Sequence, residues 1–166
     1  MARPGPRGLP VLAVAVIGLA AFAGCSGPFI SPLIVPPYRD QVAAPYDATW
    51  RALIRALAME NVPLRTVAKD SGVIASDDFV SPIGVNADCG RIGDAVLEGE
   101  ALVAFTVFAQ GNQGGGTQIQ INAKMRTHAF RKGSSGKLRS EPAYPCTSTG
   151  RWEANLADAV RRLVKE

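Results

Sequence analysis

The 166-residue chain is poor in the side chains that most enzyme chemistry uses: it has one histidine, His128, and three cysteines, and only 7% of its residues are aromatic. A lone imidazole cannot complete a histidine-based metal set, and no H-E-x-x-H motif occurs. No C-x-x-C spacing is present, so neither a zinc ribbon nor a dithiol redox pair is indicated. No apolar run reaches the ~20 residues that a membrane-spanning helix needs. No acidic residue precedes Asp40. The 18 Lys and Arg residues, against 14 Asp and Glu, form no basic stripe of the kind that tracks a nucleic-acid backbone, and no nucleic-acid partner is expected.

What the N-terminus does contain is "LPVLAVAVIGLAAFA", residues 9–23, preceded by Arg3 and Arg7 and followed by Gly24 and Cys25. A positive start, a short apolar core and small residues at its end are the parts of a secretory signal peptide. Phe22, Ala23, Gly24 and Cys25 resemble the lipobox of bacterial lipoproteins, in which two small residues precede an invariant cysteine; Phe22 stands where leucine is usual. The resemblance implies a signal peptide over residues 1–24, removed in the mature chain. It also implies three acyl chains on Cys25, which anchor durably where a single chain binds only marginally. Ser26 after the cysteine implies, by the sorting habit of that class, the outer membrane, with the domain facing the periplasm.

Removal of residues 1–24 takes Arg3 and Arg7 with it, leaving 16 basic against 14 acidic residues, and 142 residues is enough for one domain with a real core. Cys89 and Cys146 then remain in an oxidising compartment, where a disulfide between them is the natural inference. Closing a loop of roughly 58 residues would stabilise the fold by about 4 kcal/mol in the chain-entropy model.

Residues 25–45 read as a lipidated cysteine and a tether, because Pro28, Pro32, Pro36, Pro37 and Pro45 deny the backbone both helix and central strand. Fully extended, it would reach ~60 Å at ~3.1 Å per residue. Phe29, Ile30, Leu33, Ile34 and Val35 are too apolar for an indifferent linker, so they pack on their own domain or dock a partner. The globular part is expected over residues 46–166. Trp50, Leu53, Ile54 and Leu57 recur at helical spacing within residues 46–61, with Arg51, Arg55 and Glu60 outward. "VPLRTV" and "VIASDDFV" flank the turn residues Lys69, Asp70, Ser71 and Gly72 and predict a hairpin.

A Gly-, Asp- and Pro-rich loop over residues 81–99 carries Cys89, and after it "EALVAFTVFAQ" is apolar on both alternating faces, which predicts a central strand buried on both sides. "GNQGGG" turns the chain into "TQIQINAKMRTHAF", with Ile119, Ile121, Ala123 and Met125 inward and His128 outward. A polar loop over residues 131–145 leads to a last helix near residues 150–165, with Trp152, Leu156, Ala159, Val160, Leu163 and Val164 on its apolar face and Ser148 or Thr149 as its cap. The order predicts an α+β domain of two layers: an antiparallel sheet with two amphipathic helices on one face. What covers the second face of strand 101–109 stays open between the tether, a partner protein, a lipid-like ligand and the chain's own loops.

Signals for chemistry fail on inspection. Gly133, Ser134, Ser135 and Gly136 lack the G-x-S-x-G spacing of a nucleophile elbow. The glycines of "GNQGGGTQ" open a strand instead of a helix, and no lysine follows, so they make no phosphate loop. Asp77, Asp78, Asp88 and Asp94 lack the ligand spacing of a calcium loop. No cofactor and no metal are expected, and the chain reads as no enzyme.

The lipobox, the Pro-rich segment, "YDATWRALIRALAMENVPLRTVAKDSGVIAS" and the terminal amphipathic helix together resemble the repeated domain of the BamC family of outer-membrane assembly lipoproteins. That resemblance implies a helix-grip fold whose first helix is followed by a strand and a D-x-G turn, here Asp70, Ser71 and Gly72. It further implies a lipid-anchored module that binds an envelope protein partner, and the apolar Phe29, Ile30, Leu33, Ile34 and Val35 of the Pro-rich segment are the expected docking residues. The alternative expectation is a carrier of a lipid or small apolar ligand in a groove between helix and sheet.

Overall fold

Alternating apolar runs on either side of the glycine turn become the two longest strands of a computed structural model of the chain, which describes residues 28–127, 130–132, 138–140 and 143–166. The expected signal peptide, Cys25 and His128 lie outside the described residues. In chain order the elements are β1 (Phe29–Ile30), β2 (Tyr38–Val42), α1 (Tyr46–Met59), β3 (Leu64–Ala68), β4 (Val73–Ser76), β5 (Phe79–Pro82), β6 (Ala87–Asp88), β7 (Arg91–Ile92), β8 (Ala95–Val96), β9 (Glu100–Gly111), β10 (Thr117–Thr127), β11 (Phe130–Lys132), β12 (Leu138–Ser140), β13 (Pro145–Ser148) and α2 (Arg151–Leu163). Among the described residues, no helix is long and apolar enough to cross a membrane.

The β9–β10 hairpin pairs without interruption from Ala101 opposite Thr127 to Gly111 opposite Thr117. Asn112 closes its turn: its Oδ1 accepts the Gly116 N–H at 2.8 Å while its own N–H donates to the Gly116 carbonyl at 2.9 Å. Each long strand shares its outer edge between two short ones. On β9, β4 covers residues 106–108 and β5 covers residues 100–103. On β10, β2 covers residues 117–121 and β13 covers residues 125 and 126. With β3 beyond β4 and β6 beyond β13, this makes an open eight-stranded sheet whose ladders are antiparallel.

Both helices lie on one face, as their apolar stripes require. Trp50, Leu53, Ala56 and Leu57 of α1, with Leu156, Ala157 and Val160 of α2, bury against Phe105, Val107, Ala109, Ile119 and Ile121 of the sheet. The rings of Phe105 and Trp152 pack tilted to each other with centroids 4.5 Å apart, and Phe79 meets Phe105 edge-on at 5.9 Å. Such pairs add to the area they bury. The domain is therefore α+β, with an antiparallel sheet and two helices on one side.

The D-x-G turn is held from two directions. Gly72 sits at φ +70°, and its carbonyl accepts the Ala109 N–H at 2.8 Å. A Cβ there would collide with the Ala109 carbonyl, so only glycine fits. On the other side, the Tyr46 hydroxyl donates to the Lys69 carbonyl, and Lys69 pairs with Asp47 at 2.8 Å, joining the turn to the first turn of α1.

Several expectations need correction. The tether does not run through residue 45: Tyr38–Val42 is an edge strand with Val42 in the core, because Pro36 and Pro37 precede the strand without interrupting it. Phe29–Ile30 also pairs, with β7, and Phe29 stacks on Tyr144 at 4.5 Å. The loop over residues 81–99 contains three two-residue strands, and the polar loop before the last helix contains β11, β12 and β13. Strand β9 is central, but not buried on both sides: Leu102, Ala104 and Thr106 are half-buried and Phe108 is 38% exposed. Their neighbours on that face are Gln118, Gln120, Asn122, Lys124 and Arg126 of β10, polar groups that keep it in water. Neither Ser148 nor Thr149 caps α2; left-handed Gly150 stands at the cap, and the Thr149 hydroxyl instead donates to the Val85 carbonyl at 2.8 Å.

Candidate functional site

Cys89 and Cys146 are joined by a disulfide, as the cysteine count led one to expect. Cys89 follows β6 and is fully buried; Cys146 lies in β13, two residues before the turn into α2. Around them Ala87, Ala101, Val103 and Met125 form a second small core at the open end of the β9–β10 hairpin. The bond fixes β13 against β6 and so fixes where α2 begins.

That placement creates a gap. Strands β2 and β13 approach the same edge of β10 from its two ends, and residues 122–124 fall outside the register of either. A cavity of about 230 Å³ occupies this position. Its walls are the Pro-rich segment from Ser31 to Tyr38, Ile121 and Ala123 of β10, the β13 residues beside the disulfide, and Glu153 of α2. The segment is pinned at both ends, by β1 on β7 and by β2 on β10, so it arches over the gap.

Glu153 is 2% exposed, and its buried Oε2 has no hydrogen-bond partner among the described residues. It stands on the inward stripe of α2 at positions i, i+3, i+4 and i+7 with Leu156, Ala157 and Val160. An unpaired buried carboxylate oxygen is costly, and native structures seldom keep one without a reason. Sequence reasoning passed over Glu153, although the helical spacing was there to find it.

Of the five expected docking residues, Phe29 is half-buried under Tyr144 and spent on the domain itself. Ile30 and Val35 are partly withdrawn. Leu33 and Ile34 are not: they are 87% and 96% exposed at the crown of the arch, with the cavity beneath.

Several charges elsewhere are committed to structure. Arg161, near the end of α2, pairs with Asp40 of β2 and with Asp158 at 2.5 Å. Its hydrogen bond to Asp40 raises the guanidinium pKa further. Tyr38 donates to Asp40 Oδ2 at 3.3 Å; burial first, and that carboxylate second, push its phenol above the ordinary value. Arg126 reaches Asp78 at 2.6 Å and Arg65 approaches Asp77, which disperses the acidic residues named in the sequence. Among the described residues, no three His, Cys, Asp or Glu side chains converge as metal ligands. Two other concavities, of about 660 Å³ at the hairpin turn and about 300 Å³ on the open sheet face beside Phe108, are lined by glycines and amides, with Arg39 in the second.

No family model matches the chain, and neither does any curated protein. Among solved structures, the chain is similar to a DUF4468 family protein from Bacteroides ovatus, with 12% identity, a TM-score of 0.35, and 78% of this chain and 77% of that one covered.

Proposed function

We propose that the chain is a lipid-anchored, non-enzymatic module of the cell envelope, held at the outer membrane by Cys25 and docking an envelope protein through Leu33 and Ile34. The observation that carries this reading is the arch: two large aliphatic side chains stand almost fully in solvent on a segment fixed at both ends. A pinned apolar surface of this kind loses little conformational freedom on binding, which favours docking over random exposure.

Anchoring adds a geometric constraint. With β1 starting at Phe29, four residues after Cys25, a lipid on Cys25 would lie within roughly 14 Å of the domain, the most that four residues of chain can reach. The arch then works close to the membrane surface instead of at the end of a long tether. The BamC-like stretch and the lipobox favour a partner in outer-membrane assembly or maintenance.

The test is a variant carrying both Leu33→Asp and Ile34→Asp, isolated from membranes under mild detergent. The reading expects an unchanged melting temperature, because neither side chain is packed, together with loss of the co-purifying partner. Retention of the partner by the folded double variant would refute it.

A further inference from the structure

We infer that the cavity under the arch is a binding site for a cationic nitrogen, an ammonium or guanidinium group, seated on Glu153. The inference concerns a different group from the exposed crown and stands without the docking proposal.

The site is built. Glu153 lines the cavity, is buried at 2% exposure, and brings a carboxylate oxygen with no partner among the described residues. Leaving a buried carboxylate oxygen unpaired is costly, and a cation seated on it removes that cost. Among the described residues no Lys, Arg or His lines the cavity, which leaves the carboxylate open to a cation from elsewhere. The remaining walls suit an aliphatic ammonium: Ile121, Ala123, Val35 and the prolines offer apolar surface for a methylene chain, and Ser31 and Thr147 offer hydroxyls. At about 230 Å³ the cavity falls below the usual range for a whole drug-sized ligand and fits a single side chain or a small amine. The gap at residues 122–124 of β10 is what leaves this space open, since a continuous edge strand would fill it.

The same chemistry has two sources, a free small amine or a lysine side chain of a bound peptide. Methyl NMR of the full chain in mild detergent, labelled at isoleucine methyls, reads the site directly because Ile34 and Ile121 both line it. The probes are n-butylammonium chloride, N-acetyl-lysine methylamide and its uncharged analogue N-acetyl-norleucine methylamide. The ammonium probes are expected to shift both methyl signals, the norleucine probe to leave them in place, and Glu153→Gln to weaken ammonium binding by about tenfold or more, as loss of a charged hydrogen bond does. Tighter binding of the lysine probe identifies a peptide side chain as the occupant; equal or tighter binding of butylammonium identifies a free amine. Absence of shifts with both ammonium probes, equal shifts with norleucine, or an unchanged titration in Glu153→Gln would overturn the inference. Should Glu153→Gln fail to fold, the contrast between the lysine and norleucine probes decides it alone.

Discussion

Asp40 and Arg161, 121 residues apart in sequence, form an ion pair that ties the edge strand β2 to the last turns of α2. The Asp40 side chain is mostly buried, while Arg161 remains partly in water and also holds Asp158. The pair closes the domain: the first well-packed strand and the last helix are locked together over the sheet.

Removing that lock has a measurable cost. Arg161→Ala is expected to destabilise the fold by about 1–2 kcal/mol, above the ~0.2–1 kcal/mol of a fully exposed pair because Asp40 is left buried without its cation. A double-mutant cycle with Asp40→Asn in chemical denaturation measures the coupling. A coupling energy of zero would remove the pair from the account.

The disulfide is expected to act locally as well as globally. Reduction, or Cys89→Ala with Cys146→Ala, lowers stability by up to about 4 kcal/mol for a sequence separation of 57. Hydrogen exchange should rise first at β6, β13 and the start of α2, while α1 and the β3–β4 hairpin keep their protection. Uniform loss of protection would contradict the local role.

Gly72→Ala is expected to cost about 2 kcal/mol or more, since it forces a non-glycine residue to φ +70° and drives a methyl into the Ala109 carbonyl. Ser71→Ala, one residue earlier on an exposed position, should change the melting temperature little.

Asp47 provides the pH-dependent case. Its hydrogen bond to the Lys69 ammonium, reinforced by that charge, holds its carboxyl below the ordinary value. A depressed folded-state value means that the contribution is present above the ordinary aspartate range and is lost as pH falls through the folded value. Carboxyl NMR titration should place Asp47 below a free aspartate, and Lys69→Met should return it to normal. No change on that substitution would show that the pair does not form.

The elements carried by local periodicity were legible in the sequence. The stripe of Trp50, Leu53 and Leu57, the alternation through Ile119 and Ile121, and the turn at Gly72 each express a single helix or strand against one core. What escaped depends on partners distant in sequence. Tyr38–Val42 looked like tether because prolines flank it, and only its pairing with β10 makes it a strand. Leu102, Ala104 and Phe108 looked buried because composition cannot tell which sheet face receives helices. Glu153 is of a residue type that normally faces solvent, and only its spacing from Leu156, Ala157 and Val160 places it inward. The cavity beside it has no local signal, because it is the space left where β2 and β13 fail to meet along one edge of β10.

The most direct test of the proposed docking role is photo-crosslinking in the native envelope, with a benzophenone amino acid at position 34 and, as a control, at position 67, where Val67 is exposed on the far edge strand β3. The account predicts that position 34 captures an envelope protein, that Cys25→Ser abolishes the capture by preventing lipid anchoring, and that position 67 captures nothing above background. Labelling of lipid alone from position 34, or equal capture from position 67, would contradict it.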